Sequence, residues 1–264
     1  MNAEGKDHFK EESDMAIVKV GNIEIGAGIP KVCVAIVGKT QEEILSAARE
    51  IMETTANLVE WRVDWFEEIF DFDKVRETLL MLREIMEDRP ILFTCRTSKE
   101  GGEISLTEQQ YKILNQVAVE SEAIDLVDVE MFGYGKVSEE LIRFAHEKGA
   151  KVVGSNHDFD STPSQEEIVR RLVFMQENGA DIPKIAVMPQ DAKDVLTLLA
   201  ATEEKTREHD KTPVITMSMG AKGVISRVSG LLFGSAVTFA AVGKTSAPGQ
   251  LEVEEVRKIM RILR

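Results

Sequence analysis

The sequence contains little cysteine and no long apolar run. Only 2 of its 264 residues are cysteine. Cys33 and Cys95 stand in separate apolar segments rather than in the paired spacing of a metal site. We therefore expect both to be small core residues of a protein in a reducing compartment. No segment approaches the roughly 18 consecutive apolar residues that a membrane span needs, so we expect a cytoplasmic protein that does not enter a membrane.

Basic residues are scarce relative to acidic ones. The chain carries 32 Lys and Arg against 46 Asp and Glu, a formal net charge of −14. This balance argues against nucleic acid as a main partner, because phosphate backbones are bound by clustered Lys and Arg. It does not argue against small anions, which one or two well-placed arginines can bind.

The first residues lack the hydrophobic segment of a signal peptide and mix both charges. We predict a flexible N-terminal extension over residues 1–14 and a single domain over 15–264. At the start of that domain, residues 15–29 alternate apolar and polar side chains around Gly21-Asn22. This pattern predicts a β-hairpin.

The rest of the chain alternates regularly between strand-like and helix-like segments. Eight short, β-branched apolar runs recur at the roughly 25–35-residue spacing of a βα repeat, with amphipathic patterns between them. The predicted strands are Lys31–Val37, Leu58–Val63, Ile91–Cys95, Ile124–Glu130, Lys151–Ser155, Ile182–Met188, Pro213–Met217 and Ala236–Val242. The predicted helices are Glu42–Thr54, Lys74–Glu87, Leu106–Ser121, Ser138–Lys148, Ser164–Asn178 and Ala192–Arg207.

This alternation favours a (β/α)8 barrel. Such barrels commonly have about 250 residues, and no low-complexity linker divides the chain. A doubly wound open sheet is the alternative, but in place of its Gly-rich first turn the chain has Gly38-Lys39-Thr40. The predicted fold class is α/β, a single TIM barrel whose N-terminal hairpin closes the bottom of the barrel.

Polar side chains follow nearly every predicted strand. Barrel enzymes place their reactive groups at the carboxyl ends of the strands and in the loops that follow, so we expect these residues to share one rim. In chain order, and with the two methionines at the end of the seventh strand included, they are Glu60, Arg62, Asp64, Arg96, Asp128, Glu130, Asn156, His157, Asp158, Lys184, Met217, Met219, Arg227, Ser246 and Gln250.

Most of these residues have an ordinary structural explanation when taken alone. Glu60 and Arg62 lie on one strand face and could simply form an ion pair. A lone His157 is more often a loop histidine than a catalytic one, and methionines such as Met217 are typical of a core. Lys184 is the exception, because it lies inside an apolar strand, where a buried lysine is rare unless it is paired or used.

Lys184 and His157 together indicate imine chemistry. Desolvation lowers the pKa of a lysine from about 10.4 toward neutrality, and the free amine can attack a ketone to form an imine. The protonated imine withdraws electrons, so a nearby base such as His157 can remove an α-proton. A carboxylate such as Glu100 would orient the imidazole, and the arginines would bind an anionic, hydroxylated substrate.

Three other kinds of site fit the sequence less well. Gly38-Lys39-Thr40 and Gly243-Lys244-Thr245 both lack the upstream glycine of a phosphate-binding loop. A metal site built from His157 and the carboxylates of the second and fourth strands would place Lys184 beside a cation. Ser-His-Asp catalysis has no nucleophile-elbow sequence to support it.

Taken in order, the motifs resemble those of the type I 3-dehydroquinate dehydratases, the Schiff-base dehydratases of the shikimate pathway. The resemblance runs from about the hairpin to residue 264, and several ordered motifs in one chain make it specific. It rests on Glu60-Trp-Arg-Val-Asp64, Phe93-Thr-x-Arg96-Thr97, Glu100-Gly-Gly102, Ser155-Asn-His-Asp-Phe159, Ile182-Pro-Lys-Ile-Ala186, Met217-Ser-Met-Gly220, Ser226-Arg227 and Ser246-Ala-Pro-Gly-Gln250.

The resemblance implies a homodimeric barrel that needs no metal or organic cofactor and acts on the small molecule 3-dehydroquinate. It implies that Lys184 is the Schiff-base lysine, His157 the general acid and base, and Glu100 the carboxylate that orients His157. Ala35 departs from the pattern, because some relatives carry a serine there that contacts the substrate. The implied substrate-binding residues are Glu60, Arg62, Arg96, Arg227 (for the substrate carboxylate), Ser246, Gln250, Met217 and Met219.

The reaction implied by the resemblance is a syn elimination of water through an imine and an enamine. It yields 3-dehydroshikimate, in the third step of the pathway to chorismate and the aromatic amino acids. An aldolase-like barrel would share the lysine imine, but such enzymes usually have a phosphate site near strands seven and eight, where this chain has Arg227 and residues 246–250. A non-catalytic barrel that binds a sugar acid would not require Lys184.

Overall fold

A computed structural model describes residues 16–243 and 245–264 of the chain. The predicted extension over residues 1–14 and the first residue of the predicted hairpin lie outside the described residues. The boundary between extension and domain therefore stays a prediction.

Over the described residues, the chain forms a short antiparallel hairpin and then alternates parallel strands with helices. The strands are β1 (Val18–Val20), β2 (Ile23–Ile25), β3 (Lys31–Ile36), β4 (Leu58–Arg62), β5 (Ile91–Thr94), β6 (Leu126–Glu130), β7 (Lys151–Asp158), β8 (Ile182–Val187), β9 (Ile215–Ser218) and β10 (Val237–Ala240). The helices are α1 (Gln41–Met52), α2 (Phe72–Met86), α3 (Glu108–Glu120), α4 (Lys136–Glu147), α5 (Gln165–Glu177), α6 (Ala192–Glu208), α7 (Val224–Val228), α8 (Gly230–Phe233) and α9 (Val253–Ile262).

The strands β3 to β10 form one parallel sheet that curls into a barrel. Their order is β10-β3-β4-β5-β6-β7-β8-β9. The two end strands meet through a parallel bridge between Val214 and Ser235, and the amide of Ala236 donates a 2.8 Å hydrogen bond to the carbonyl of Val214. The predicted (β/α)8 barrel is confirmed.

Each predicted strand and helix is present, with ends shifted by up to three residues. The largest shift is at β7, which runs on to Asp158 because its pairing with β8 continues through His157 opposite Ala186 and Asp158 opposite Val187. His157 therefore stands on a strand and not in a loop. The helices α7 to α9 were not predicted. Two of them have only 5 and 4 residues, too few to show a helical period.

Several helices begin at a residue whose side chain accepts a hydrogen bond from the first turn. This bond satisfies an amide that has no partner within the helix. Thr40 takes this role at α1, so the Gly38-Lys39-Thr40 segment is a helix start. The other such residues are Asp71 for α2, Thr107 for α3, Ser164 for α5 and Asp191 for α6.

The β1–β2 hairpin closes the amino-terminal end of the barrel. Its turn is Gly21-Asn22, as predicted, with Val20 opposite Ile23. Val20 and Ile25 are buried in the cluster that fills the barrel interior. The residues they join come from the first half of successive strands and include Leu58, Leu92, Leu126, Val153, Ile182, Ile215 and Val237.

No helix within the described ranges combines the length and apolar character needed to cross a bilayer.

We expect Ile25→Ala to lower the free energy of unfolding by about 2–5 kcal/mol, because it leaves a cavity beneath the barrel. Ile17→Ala is the matched control: this side chain lies next to the hairpin but is 54% exposed, so its removal should change the stability by less than about 0.5 kcal/mol. Urea unfolding followed by circular dichroism measures both. Equal losses in the two variants would contradict the closing role of the hairpin.

Candidate active site

A cavity opens at the carboxyl ends of the barrel strands. Its volume is about 190 Å³, below the roughly 300–1,000 Å³ of pockets for drug-sized ligands, so it suits a small molecule. Ten of the eleven predicted site residues line it: Glu60, Arg62, Arg96, Glu100, His157, Lys184, Met217, Met219, Ser246 and Gln250.

Arg227, the eleventh residue, lies directly behind the cavity wall. Its Nη2 donates to the carbonyl of Pro248 at 3.0 Å, and its Nη1 lies 3.9 Å from the sulfur of Met217. Both of these residues line the cavity. Arg227 takes part in no ion pair within the described ranges, and its Nε is buried without a partner there. Burial lowers the pKa of Arg227 to about 10, which reflects an uncompensated buried cation.

Lys184 reaches the cavity from the middle of β8 with its side chain buried. Its Nζ lies 3.2 Å from Oδ2 of Asp128 and 3.4 Å from Oε1 of Glu60, and 4.6 Å from the centre of the Phe239 ring. The strand around Lys184 is apolar, but two of its neighbours across the barrel are carboxylates. The lysine is therefore both buried and paired.

Arg96 holds three carboxylates around one buried guanidinium. Its Nη2 donates to Asp128 Oδ1 at 2.7 Å, and its Nη1 donates to Glu130 Oε1 at 2.9 Å and lies 3.4 Å from Glu100 Oε2. Burial alone would raise the pKa of Asp128, but Arg96, with Lys184, holds it below its ordinary value. Asp128 is therefore ionised.

The sequence places Asp128 and Glu130 at the rim and offers them no role other than that of metal ligands. The structure buries both completely and ties both to Arg96. Their spacing could have indicated a shared partner, because two residues that are two positions apart on a strand face the same side of the sheet. Within residues 16–243 and 245–264, no three His, Cys, Asp or Glu side chains are arranged to hold a metal ion.

His157 is oriented by Glu100 through two contacts to one oxygen. Oε2 of Glu100 lies 2.9 Å from Nδ1 of His157 and accepts the backbone amide of His157 at 3.0 Å. The other oxygen accepts Nδ2 of Asn156 at 3.2 Å. Because every one of these partners can donate, they fit the carboxylate form of Glu100. The proton of the neutral imidazole then sits on Nδ1, and Nε2 is left as an acceptor.

Burial governs the protonation of both members of this pair. Burial, followed by the nearby charges of Arg96 and Lys184, holds the pKa of His157 well below its ordinary value. Burial also raises the pKa of Glu100 to about 8, against the attraction of Arg96, so the carboxylate form that fits its hydrogen-bond partners predominates above that pH. The two groups titrate as a coupled pair, in which His157 is a neutral imidazole suited to accept a proton.

Arg62 pairs with Asp64 and not with Glu60. Both Nε and Nη2 of Arg62 donate to the Asp64 carboxylate, at 2.8 and 2.7 Å. The same carboxylate accepts the backbone amides of Arg96 at 3.3 Å and Glu103 at 3.2 Å. Asp64 therefore anchors both ends of the loop that carries Glu100. Asp64 was expected at the rim, but no role in the site was predicted for it.

The loop carrying Glu100 also packs against the segment after His157. Gly101 has a backbone φ of +79°, and a Cβ built there would lie 2.2 Å from Cε2 of Phe159. Only glycine provides both this backbone conformation and this close approach. Gly101 and Phe159 both line the cavity.

The opposite wall comes from the segment that follows β10. Its residues Ser246 and Gln250 bind each other: Gln250 accepts the amide of Ser246 at 2.8 Å and donates to its hydroxyl at 2.9 Å. Ala35, the residue that departs from the predicted pattern, lines a separate cavity against α1.

Comparison with known proteins identifies the family. Residues 32–264 match the type I 3-dehydroquinase family. A 3-dehydroquinate dehydratase from Clostridioides difficile (strain 630) is 48% identical over 246 residues, which cover 93% of this chain and 96% of the relative. The chain belongs to the type I 3-dehydroquinase family. The sequence-based prediction of a 3-dehydroquinate dehydratase of the shikimate pathway, a hydro-lyase, is confirmed.

Other 3-dehydroquinate dehydratases are similar in sequence and in structure. The 3-dehydroquinate dehydratase of Salmonella agona (strain SL483) is 48% identical over 249 residues, covering 94% of this chain and 99% of the relative. The type I enzyme from Clostridium difficile, solved with covalently modified comenic acid, matches with a TM-score of 0.91 and 47% identity over 94% of this chain and 98% of that one. The Geobacillus kaustophilus enzyme also gives a TM-score of 0.91, with 43% identity, over 94% of this chain and 96% of that one.

For this type I 3-dehydroquinase, we expect Glu100→Gln to lower kcat by about two to four orders of magnitude, because an amide no longer fixes the tautomer and charge of His157. Glu103→Gln makes the same chemical change on the same loop at an exposed side chain and should leave kcat within about twofold. Steady-state dehydration assays measure both. Similar kcat values for Glu100→Gln and the unaltered enzyme would contradict the orienting role.

Proposed function

We propose that this enzyme dehydrates 3-dehydroquinate through a covalent imine on Lys184, with His157 as base and then acid, and releases 3-dehydroshikimate. The observation that carries the proposal is that one cavity exposes both side chains, with the imidazole bound through Nδ1 to Glu100. That arrangement leaves Nε2 as the proton acceptor next to an amine that can bind a ketone.

The first stage is the condensation of Lys184 with the C3 ketone of the substrate. The amine forms a bond to the carbonyl carbon, the oxygen takes a proton, and loss of water leaves a protonated imine. His157 moves the protons in these steps. Family membership supports this assignment, and the C. difficile relative, which carries covalently modified comenic acid in its structure, is consistent with a nucleophile at the site.

The second stage is the elimination. His157 removes a C2 proton, and the electron pair flows into the protonated imine to give a neutral enamine. The imidazolium then gives its proton to the C1 hydroxyl, which leaves as water, and hydrolysis releases the product from Lys184. Because one residue takes and returns the proton on one face of the ring, the elimination is syn.

The remaining cavity residues would bind the substrate. Arg227 is proposed as the partner of the substrate carboxylate, because it is a buried cation without an ion pair among the described residues. Met217 and Pro248 lie between Arg227 and the cavity, so a small shift of either residue would let the guanidinium reach the substrate carboxylate. Proposed contacts to hydroxyl groups and the ring come from Glu60, Arg62, Arg96, Ser246, Gln250, Met217 and Met219.

Membership in the family is the basis for proposing two further properties. We propose that the enzyme is a homodimer and that it works in the cytoplasm.

Borohydride added together with 3-dehydroquinate should reduce the imine and leave a stable adduct on Lys184, identified by peptide mass spectrometry. His157→Ala is the matched control: it should still form an adduct while losing most of its dehydration activity, because it keeps the amine and lacks the base. Active protein whose Lys184 stays unmodified would refute the imine mechanism. Full turnover by His157→Ala would remove His157 from its role.

We expect Arg227→Gln to lower kcat/KM for 3-dehydroquinate by about 30-fold or more, because a buried charge-assisted contact to the substrate is worth at least about 2 kcal/mol. The loss should appear mainly as a higher KM. Lys222→Gln removes an exposed cation from the same region and should leave KM unchanged. If both variants keep the KM of the unaltered enzyme, the substrate carboxylate binds elsewhere.

A further inference from the structure

Lys184 has two carboxylate neighbours that differ in their surroundings. Glu60 lines the cavity, and its Oε1 accepts the Thr94 hydroxyl at 2.9 Å, so its other oxygen can face a ligand. Asp128 is fully buried behind Lys184. It therefore contacts the nitrogen that reacts but is placed to act on the substrate only through that nitrogen.

Asp128 is also held more rigidly than Glu60. Its Oδ1 accepts the hydroxyl of Ser155 at 2.6 Å and Nη2 of Arg96 at 2.7 Å, while Oδ2 faces Lys184 Nζ at 3.2 Å. Three donors from β7, β8 and the segment after β5 thus fix both oxygens. A carboxylate fixed in this way supplies a negative charge whose position does not depend on the substrate.

The proposed reaction keeps a positive charge at this position through its key intermediates. A lysine ammonium and a ketone give a protonated imine and water, so the nitrogen carries one positive charge before and after the condensation. During the elimination, the charge disappears only in the enamine, when it passes to His157, and it returns when the hydroxyl leaves. A neutral imine accepts electrons poorly, so the elimination depends on keeping the imine protonated inside a buried site.

We infer that Asp128 is a further catalytic residue of this enzyme, the fixed counter-ion that keeps the Lys184 imine protonated during the elimination. The inference rests on the proposed imine mechanism and adds a residue that the predicted site did not contain. Arg96 then joins the two halves of the site, since it contacts Asp128 at one nitrogen and Glu100, the partner of His157, at the other.

Removal of the Asp128 charge has a consequence that depends on pH. A carboxylate within hydrogen-bond distance favours the charged form of its partner by about 1–3 pKa units, so its loss should let the protonated imine lose its proton at lower pH. Besides Asp128, the groups that face or lie near Lys184 from the surrounding elements are Cys33 on β3, Glu60 on β4, Arg96 after β5, His157 on β7, and the uncharged Met217 on β9 and Phe239 on β10.

The test compares kcat between pH 6 and pH 9 for the unaltered enzyme, Asp128→Asn and Asp128→Ala. We expect the ratio of unaltered to variant kcat to grow by about tenfold or more as the pH rises, with little change in KM. Asp128→Ala removes the same charge without placing an amide against Arg96. If Asp128→Asn does not fold, the pH dependence of the kcat ratio is therefore taken from Asp128→Ala. Thermal melting verifies that each variant is folded.

Glu130→Gln is the matched control. It makes the same carboxylate-to-amide change on the same strand and also removes a partner of Arg96, but Glu130 is not bound to Lys184. Its kcat ratio should stay flat with pH. Asp128→Glu keeps the charge, so its ratio should also stay flat even if kcat falls.

The outcomes separate this inference from the proposed function. If borohydride traps Lys184 in the unaltered enzyme and the Asp128→Asn and Asp128→Ala ratios do not change with pH, Asp128 is only structural and the inference is overturned. The same conclusion follows if Glu130→Gln shows an equal rise, because the effect would then pass through Arg96. If Lys184 is not trapped at all in active enzyme, the imine mechanism itself fails.

Discussion

The guanidinium of Arg96 is buried at the carboxyl end of the barrel, with carboxylates from β6 and from its own loop around it. A buried arginine is stable only when its charge and donors are matched. Meeting that requirement draws Asp128 and Glu130 inward from one strand and brings Glu100 to the same point. Lys184 and His157 then take their positions from Asp128 and Glu100. The reacting groups are thus arranged by an ion network that connects β5, β6, β7 and β8.

The barrel could be predicted from sequence because its signals are local. Each strand is a short apolar run, and each long helix shows the helical repeat of apolar residues. Several helices also begin at a capping Ser, Thr or Asp. The end of β7 could not be placed this way. Residues 156–158 are polar and read as a loop, yet pairing with β8 keeps them extended. That extension carries His157 into the cavity.

The members of the site could be predicted, but most of their pairings could not. Lys184 stood out because it interrupts an apolar strand. His157 stood out because it follows the predicted strand that precedes the strand of Lys184. The partners of Lys184 come from strands two and four positions away around the barrel, a distance that no sequence spacing encodes. Arg62 likewise bonds to Asp64, where Glu60 was the simpler expectation. Pairings across a closed sheet depend on its curvature, which only the assembled barrel defines.

The contact between Gly101 and Phe159 couples two loops of the site mechanically. The aromatic ring rests on the glycine backbone, and the neighbouring Glu100 and His157 are hydrogen-bonded to each other. A displacement of one loop against the other would therefore disturb both the ring contact and the hydrogen bond. Residues 246–250 on the opposite wall take part in neither of these contacts. The acid–base pair would then keep its internal geometry through the whole cycle, whatever the opposite wall does.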